Sequence, residues 1–298
     1  MHDVYAYGVI APSTLIELVD DFPQAGGYAE ITTVHASIGG EAAGGAYVLA
    51  RLGVGTKLAG NRLGDDAASI RARDLLAAAG VDCSAIGLEP DASPVNEVVV
   101  AGGGDRTVFG TYRKLAADQD WNEPSRDDVR SSRIVCLDPF FGDASRQVAD
   151  WCVDDDIAYV TIDVAPDTEI ARHAAVLVVS EDFIGRTLDT ADAYAVLATY
   201  VERCSGLVIV TRGDRGAVSA RPDTQPREHE PFAVDVRDTA GAGDSFRAGI
   251  IYGMLHGADD DDMVRTGGAL AAMVCRTAPG FLHSPTVTEL ADFLDGVR

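Results

Sequence analysis

The sequence is poor in lysine and cysteine and has no long apolar run. Lys57 and Lys114 are the only lysines, and at a net charge of −23 the chain would repel a phosphate backbone, so we expect no nucleic-acid partner. The five cysteines are odd in number and widely spaced, which argues against a disulfide framework and a C-x-x-C metal site. No stretch is apolar enough to cross a bilayer, and the first residues do not read as a secretion signal, so we expect a cytoplasmic protein without a membrane partner.

Several nucleotide and metal motifs are also missing. The sequence contains no G-K-[ST], which argues against a P-loop kinase, and no well-formed G-x-G-x-x-G follows a strand, which argues against a Rossmann dehydrogenase. The six histidines form no H-E-x-x-H or comparable pair, so no metal cage is visible.

What is present is an alternation of short apolar runs and helical patterns over 298 residues, with 47% hydrophobic content. This order predicts an α/β fold with a mostly parallel sheet, helices on both faces, and ligands at the carboxyl ends of the strands. The predicted strands are 4–10, 28–34, 54–60, 94–101, 106–112, 134–137, 157–162, 176–179, 207–210, 217–220 and 229–236; the predicted helices are 41–52, 65–79, 144–153 and 191–203.

Two of these strands, 94–101 and 106–112, flank a turn-rich sequence with three consecutive glycines. Such spacing is typical of a β-hairpin. Together with 28–34, the hairpin can form a small sheet outside the main one.

The most informative stretch is Asp238-Thr239-Ala240-Gly241-Ala242-Gly243-Asp244, followed by apolar residues at helical spacing. The spacing places Gly243 and Asp244 in the first turn of a helix. The small residues put no bulk over the free backbone N–H groups, which together with the helix dipole favour a bound anion.

Asp244 would repel the anion that its neighbours attract, so its carboxylate needs a use. In phosphoryl transfer an Asp can align the acceptor hydroxyl and take its proton. The alternative is that Asp244 is only an acidic residue at a helix start and that the glycines only form a turn.

The stretch resembles the D-T-x-G-A-G-D signature of the ribokinase-like (PfkB) carbohydrate and nucleoside kinases, and the order of elements resembles that family over nearly the whole chain. The resemblance implies a three-layer α/β sandwich with a small β-sheet lid, one kinase domain over 1–298, and lid strands near 27–35 and 94–113. It also implies that Asp244 is the catalytic base and that Gly241, Ala242 and Gly243 form the anion hole.

Other segments resemble further parts of this family. Gly39 and Gly40 resemble the glycine pair that approaches the sugar, and Thr211-Arg212-Gly213-Asp214-Arg215-Gly216 resembles the T-x-G-x-x-G segment that contacts nucleotide phosphates. Arg113 matches an arginine that reaches the transferring phosphate in ketohexokinase-like members, and the helix with Cys275 is implied to hold the nucleotide. Ordinary turns are the alternative for the glycine pair and for the Thr211 segment, and a solvated strand end is the alternative for Arg113.

Two positions depart from the family pattern. Ser13 stands where an Asp usually holds sugar hydroxyls, and Gly44 stands where an Asn usually does. Glu41, Asn96 or Asp20 are candidates to compensate.

The resemblance also bears on ions. Ser180-Glu181-Asp182-Phe183 replaces the usual N-x-x-E, so we expect Mg²⁺ to be water-rich and centred on the nucleotide. Asp238 is a candidate ligand of a monovalent cation such as K⁺, with a capping role as the equal alternative.

Taken together, the sequence predicts an ATP-dependent kinase that acts on a hydroxyl of a sugar or sugar derivative. A nucleoside kinase of the same fold and a nucleotide-binding pseudokinase without turnover remain alternatives. A lid sheet with open edges also suggests a homodimer.

The acidic residues are spread along the chain in short clusters, as expected of a solvated surface. Our hypothesis is that the protein works at high internal salt, where screening reduces the self-repulsion of its charge. We therefore expect the midpoint of thermal unfolding to rise between low and molar KCl, and an equal midpoint at both would contradict the hypothesis.

Overall fold

The computed structural model describes residues 2–92, 95–102, 105–188 and 192–296. Pro94, Gly103, Gly104 and Ala191, which belong to predicted elements or turns, lie outside these ranges. The strands are β1 (Val4–Gly8), β2 (Ala11–Leu18), β3 (Ile31–Gly39), β4 (Thr56–Gly60), β5 (Glu97–Gly102), β6 (Asp105–Gly110), β7 (Ile134–Leu137), β8 (Ala158–Ile162), β9 (Val176–Ser180), β10 (Leu207–Thr211), β11 (Ala217–Ala220) and β12 (Arg227–His229).

Eight strands form the main sheet in the order β12-β11-β10-β9-β8-β7-β1-β4. The pairs from β4 to β10 are parallel, and β11 and β12 add antiparallel strands at one edge. Strands β1 and β7 are buried along their whole length, as expected where helices cover both faces of a parallel sheet. The predicted α/β fold with its parallel sheet is confirmed.

Helices cover both faces of this sheet. Side chains of α1, α2, α9 and α10 form the core on one face, and side chains of α5, α6 and α8 form the core on the other. The helices are α1 (Glu41–Arg51), α2 (Ala67–Ala79), α3 (Tyr112–Asp118), α4 (Arg126–Arg130), α5 (Asp143–Asp154), α6 (Glu169–His173), α7 (Glu181–Thr187), α8 (Ala193–Val201), α9 (Ala242–Leu255), α10 (Asp260–Cys275) and α11 (Val287–Gly296). In the described part of the chain, no helix has the length and apolar character that a bilayer span requires.

A separate sheet, which we call the lid, has the strand order β3-β2-β5-β6. The sequence did not predict β2, because Pro12 was taken as the end of the first strand. In the structure Pro12 pairs only with β3, and the pairing with β5 begins at Ser13, so the proline lies before the strand is enclosed on both sides.

Two further segments differ from the prediction. The lid strand predicted over 106–112 ends at Gly110, and an unpredicted helix, α3, begins at Tyr112; its residues Lys, Leu, Ala and Ala are good helix formers. The edge strand β12 is shorter and lies earlier in the chain than the predicted 229–236.

A fully buried ion pair links the elements that surround the carboxyl edge of the main sheet. Nη1 of Arg247 in α9 donates to Oδ1 of Asp138, which follows β7, at 2.7 Å, and both side chains are 0% exposed. Oδ2 of Asp138 accepts the backbone N–H of Val9 after β1 and of Ala42 in α1, each at 2.9 Å. One carboxylate therefore fixes β1, α1 and α9 relative to each other.

Replacing Arg247 with Met should be strongly destabilising, because it leaves the Asp138 charge buried without its partner. We expect a loss of about 3–5 kcal/mol in the free energy of unfolding, measured by urea denaturation at fixed KCl concentration. Arg146, whose ion pairs with Asp143 and Asp150 are exposed, is the control, and Arg146→Met should cost less than about 1 kcal/mol. Equal losses in the two variants would contradict this account of the buried pair.

Candidate active site at the start of helix α9

The amino end of α9 presents backbone donors, as the sequence predicted. Gly241 occupies the N-cap position with a φ of 76°, a left-handed conformation that favours glycine. No side chain of the described residues caps this end, and among the first N–H groups that of Ala242 donates to the carbonyl of Thr239 at 3.2 Å. With the helix dipole, they form a site suited to an anion.

Asp244 lies in this first turn, and its carboxylate packs on the backbone of α1. A β carbon built on Gly44 would lie only 2.6 Å from Oδ2 of Asp244. From the sequence alone, Gly44 is interpreted as a position where a contact to the sugar is lost. The structure gives the glycine a physical role, since an asparagine there would collide with Asp244 where it now lies.

Partial burial raises the pKa of Asp244 to about 7. Arg247 opposes this shift, Asp138 adds to it, and Arg106 and Glu97 make smaller contributions of opposite sign. The pKa of Glu41, at the start of α1, is also raised, first by burial and then by Asp138 and Asp244. Two carboxyl groups at this site therefore titrate well above their ordinary range.

Asp238 shapes the loop that leads into α9. The side chain is buried, with Oδ1 accepting the N–H of Ala240 at 2.8 Å and Oδ2 accepting the N–H of Gly280 at 2.9 Å. The carbonyl of Cys275 accepts the N–H groups of Arg237 and Asp238, which ties the end of α10 to the same loop. These contacts favour a structural role for Asp238.

The lid reaches the loop before α9 through Arg106, whose guanidinium donates to the carbonyl of Thr239. Arg113, the arginine singled out from the sequence, lies exposed on α3. The lid strand β6 therefore brings Arg106 close to Asp244, an approach that the sequence did not assign.

The sequence also missed Glu97, the first residue of β5. Oε1 of Glu97 accepts the hydroxyl of Ser13 at 2.8 Å, and Oε2 accepts the hydroxyl of Tyr112. A β carbon on Gly39 would lie 2.4 Å from Oε1, so the carboxylate lies directly on that glycine. Its neighbour Asn96, the sequence candidate, is exposed and contributes its backbone to Thr111.

Gly40 completes the glycine pair at the start of α1. Its φ is 92°, and a β carbon there would lie 2.3 Å from the carbonyl oxygen of Val9. The pair therefore lets α1 begin against the end of β1.

On the other side of the carboxyl edge, Thr211 ends β10 and a short 3-10 turn follows over Gly213–Arg215. Gly213 and Gly216 both have positive φ, at 58° and 75°. Thr211 and Arg212 line a cavity of about 230 Å³ beside this turn. The three residues predicted to hold the nucleotide thus lie in one turn at the end of a parallel strand.

Within the described ranges, no three His, Cys, Asp or Glu side chains are grouped so that they could hold a metal ion. Ser180 is used locally: its hydroxyl donates to Asp163 at 2.7 Å and accepts the N–H of Phe183 at 3.1 Å to cap α7. The residue set fits a Mg²⁺ ion that is carried mainly by nucleotide phosphates and water.

Comparison with known proteins bears on the family and the fold. A family model described as pfkB family carbohydrate kinase matches residues 1–280. An ATP-dependent ribose-1-phosphate kinase from Halopiger xanaduensis is 29% identical over 287 residues, which cover 93% of each chain.

Two solved structures show the same fold. A provisionally named ribokinase from Agrobacterium tumefaciens has a TM-score of 0.88 at 22% identity, over 99% of this chain and 98% of that one. A nucleoside kinase from Methanocaldococcus jannaschii has a TM-score of 0.80 at 20% identity, over 99% of both chains. The family model spans most of the chain, and we conclude that this protein belongs to the PfkB family of carbohydrate kinases, which are phosphotransferases with an alcohol group as acceptor.

Proposed function

We propose that this protein transfers the γ-phosphoryl group of ATP to a hydroxyl of a sugar or sugar derivative. The observation that carries the proposal is that two features share one helical turn. These are the backbone donors at the start of α9, which no side chain caps, and the Asp244 carboxylate. A phosphoryl group that accepts hydrogen bonds from the backbone donors can meet an acceptor hydroxyl that the Asp244 carboxylate holds. That is the arrangement that phosphoryl transfer requires.

In this proposal Asp244 orients the acceptor hydroxyl and takes its proton, and the N–H groups of Gly241–Gly243 stabilise charge on the transferring group. Thr211, Gly213 and Gly216 hold the nucleotide phosphates, and Mg²⁺ supplies charge neutralisation there when bound. Arg106 takes the role for which the sequence suggested Arg113, because Arg106 reaches the loop beside the donors.

The acceptor that we propose to test first is ribose 1-phosphate. The Halopiger relative is named for this substrate and is similar along 93% of both chains. The departures at Ser13 and Gly44 also favour an acceptor that differs from an ordinary free sugar.

The two other readings have their own support. A nucleoside acceptor is favoured by the fold shared with the Methanocaldococcus nucleoside kinase. A pseudokinase is favoured by the Ser13 and Gly44 departures, whereas the contact of Gly44 with an intact Asp244 favours a working site.

Two further expectations stay predictions. The outer surface of the lid exposes Phe22, Val34 and Phe109, which supports pairing of two copies through the lid. For K⁺, both carboxylate oxygens of Asp238 already accept backbone N–H groups, so a cation there would share these oxygens.

Asp244→Asn should lower kcat by several powers of ten with little change in ATP affinity, because the base is lost while the anion-binding backbone stays. The measurement is ADP release with a panel of ribose 1-phosphate, free sugars and nucleosides, beside ATP titration by calorimetry. Asp143→Asn, a change in the first turn of the surface helix α5, is the control and should leave turnover unchanged. Near-normal turnover in Asp244→Asn would contradict the assignment, and ATP binding without turnover of any acceptor by the unmodified protein would favour a pseudokinase.

The rate should also depend on pH near neutrality. The base must be ionised, and the pKa of Asp244 is raised to about 7, so kcat/KM for the acceptor should fall as the pH drops below about 7. Initial rates between pH 5.5 and 9 at constant KCl measure this profile.

Glu41 provides the control for the pH profile, because its pKa is raised too. Glu41, with a pKa of about 8, is already neutral below that pH, and Glu41→Gln keeps it neutral, so the midpoint should stay near 7 and the profile should keep its single fall on the acidic side. A profile that is flat from pH 5.5 upward in the unmodified protein would contradict Asp244 as the titrating base.

A further inference from the structure

The face of the lid that looks toward α9 carries a row of polar side chains from neighbouring strands. Ser13 of β2 pairs with Ser37 of β3 on one side and with Glu97 of β5 on the other. Residues paired across strands point to the same face of a sheet. Because Arg106, four pairs farther along β6 and on the same face, contacts the loop before α9, this face is the one turned to the site.

Glu97 is held in this row with spare acceptor capacity. Its two oxygens receive one hydroxyl each, from Ser13 and Tyr112, whereas an ionised carboxylate has about four acceptor positions. The side chain is only partly buried, and no lysine or arginine of the described residues forms an ion pair with it. A carboxylate that is fixed by two neutral donors and left without a cation can accept further hydrogen bonds from a ligand.

The chemistry around Glu97 selects the kind of ligand. Glu97 adds to the raised pKa of Asp244. Burial, followed by Glu97, Glu41 and Asp244, raises the pKa of the Tyr112 hydroxyl. Glu97 lies on Gly39, just before α1, and Asp244 lies on Gly44 in its first turn, with Glu41 between these glycines in the chain. Neutral hydroxyl groups fit such a lining, and a phosphate would be repelled by it.

We propose that Glu97 binds a pair of adjacent hydroxyls on the acceptor and that Ser13 and Tyr112 are positioning residues that hold its carboxylate. This inference rests on the proposed kinase function and deepens it, since it assigns a polyol face to the acceptor and places any phosphate of the acceptor on the side away from Glu97. The hydroxyl of Ser13 on β2 orients a carboxylate that is supplied by a different strand, β5.

Glu97→Gln tests this directly, because it keeps the shape of the side chain and removes its charge. Binding is measured by calorimetry with ribose 1-phosphate and 2-deoxyribose 1-phosphate, with ATP as a separate ligand. We expect affinity for ribose 1-phosphate to fall about ten- to a hundredfold, the usual range for a hydrogen bond to a charged group, with ATP affinity and the unfolding midpoint unchanged. The deoxy compound lacks one of the adjacent hydroxyls. The unmodified protein should therefore bind it more weakly than ribose 1-phosphate, whereas the Glu97→Gln variant should bind the two compounds with equal affinity.

Glu17→Gln is the matched control. Glu17 lies on the same face of β2, four pairs away from Ser13, and its carboxylate also accepts a hydrogen bond from a hydroxyl, that of Thr33. It should bind both sugars as the unmodified protein does. Ser13→Ala, which frees the Glu97 carboxylate, is the second variant and should weaken ribose 1-phosphate binding severalfold even if Glu97→Gln does not fold.

The outcomes separate this inference from the proposed function. Unchanged sugar affinity in Glu97→Gln, or in Ser13→Ala where the first variant does not fold, overturns the role of Glu97. If the unmodified protein still phosphorylates the sugar in that case, the kinase proposal stands. If the unmodified protein binds ATP but neither sugar phosphate, the inference is also overturned, and turnover of another acceptor then decides the kinase proposal independently.

Discussion

The site depends on one buried carboxylate, that of Asp138. It accepts the N–H of Val9, where the chain leaves the main sheet, the N–H of Ala42, in the first turn of α1, and the guanidinium of Arg247, one turn after Asp244. These elements belong to distant parts of the chain. Because a buried charge is costly without a partner, moving any of the three would remove part of the compensation of Asp138 or Arg247.

This constraint fixes the geometry of the candidate site. With α1 and α9 held together, Gly44 packs against Asp244, and the carboxylate lies in the same helical turn as the backbone donors of the α9 start. Arg247 also lies near Asp244 and lowers its pKa against the effect of burial. The same guanidinium thus supports the architecture and keeps the neighbouring carboxyl group within reach of ionisation at neutral pH.

The lid sheet is attached to the main sheet beside the candidate site. Asn61, after β4, accepts the N–H of Ile10 at 2.7 Å and donates to its carbonyl at 2.9 Å, which fixes the point where the chain turns into the lid. From there β2 carries Ser13 to Glu97, and β6 carries Arg106 to Thr239. The lid therefore contributes polar side chains both beside the start of α1 and at the loop before α9.

The sequence predicted the parts of the structure that depend on local patterns. The apolar spacing after Gly243 placed Asp244 in the first turn of α9, and buried runs such as Ile134–Leu137 were found as strands because they are continuous and flanked by polar residues. It could not predict contacts between distant segments. Ser13 and Glu97 are 84 positions apart and meet only through the pairing of β2 with β5, and Asp138 and Arg247 are 109 positions apart.

Two of the wrong boundaries concern the lid. Pro12 looks like a strand terminator unless one knows that β5 begins pairing one residue later, and helix α3, which begins at Tyr112, was not predicted after the lid strand. Local propensity gave the correct type of element only where the tertiary surroundings agreed with it.

The most direct test of this account is a crystal structure with a non-hydrolysable ATP analogue and ribose 1-phosphate bound together. The account predicts that oxygens of the γ-phosphate accept hydrogen bonds from the N–H groups at the start of α9 and that an acceptor hydroxyl lies within hydrogen-bonding distance of an Asp244 oxygen. A triphosphate bound away from α9, or an acceptor whose hydroxyls all point away from Asp244, would contradict it.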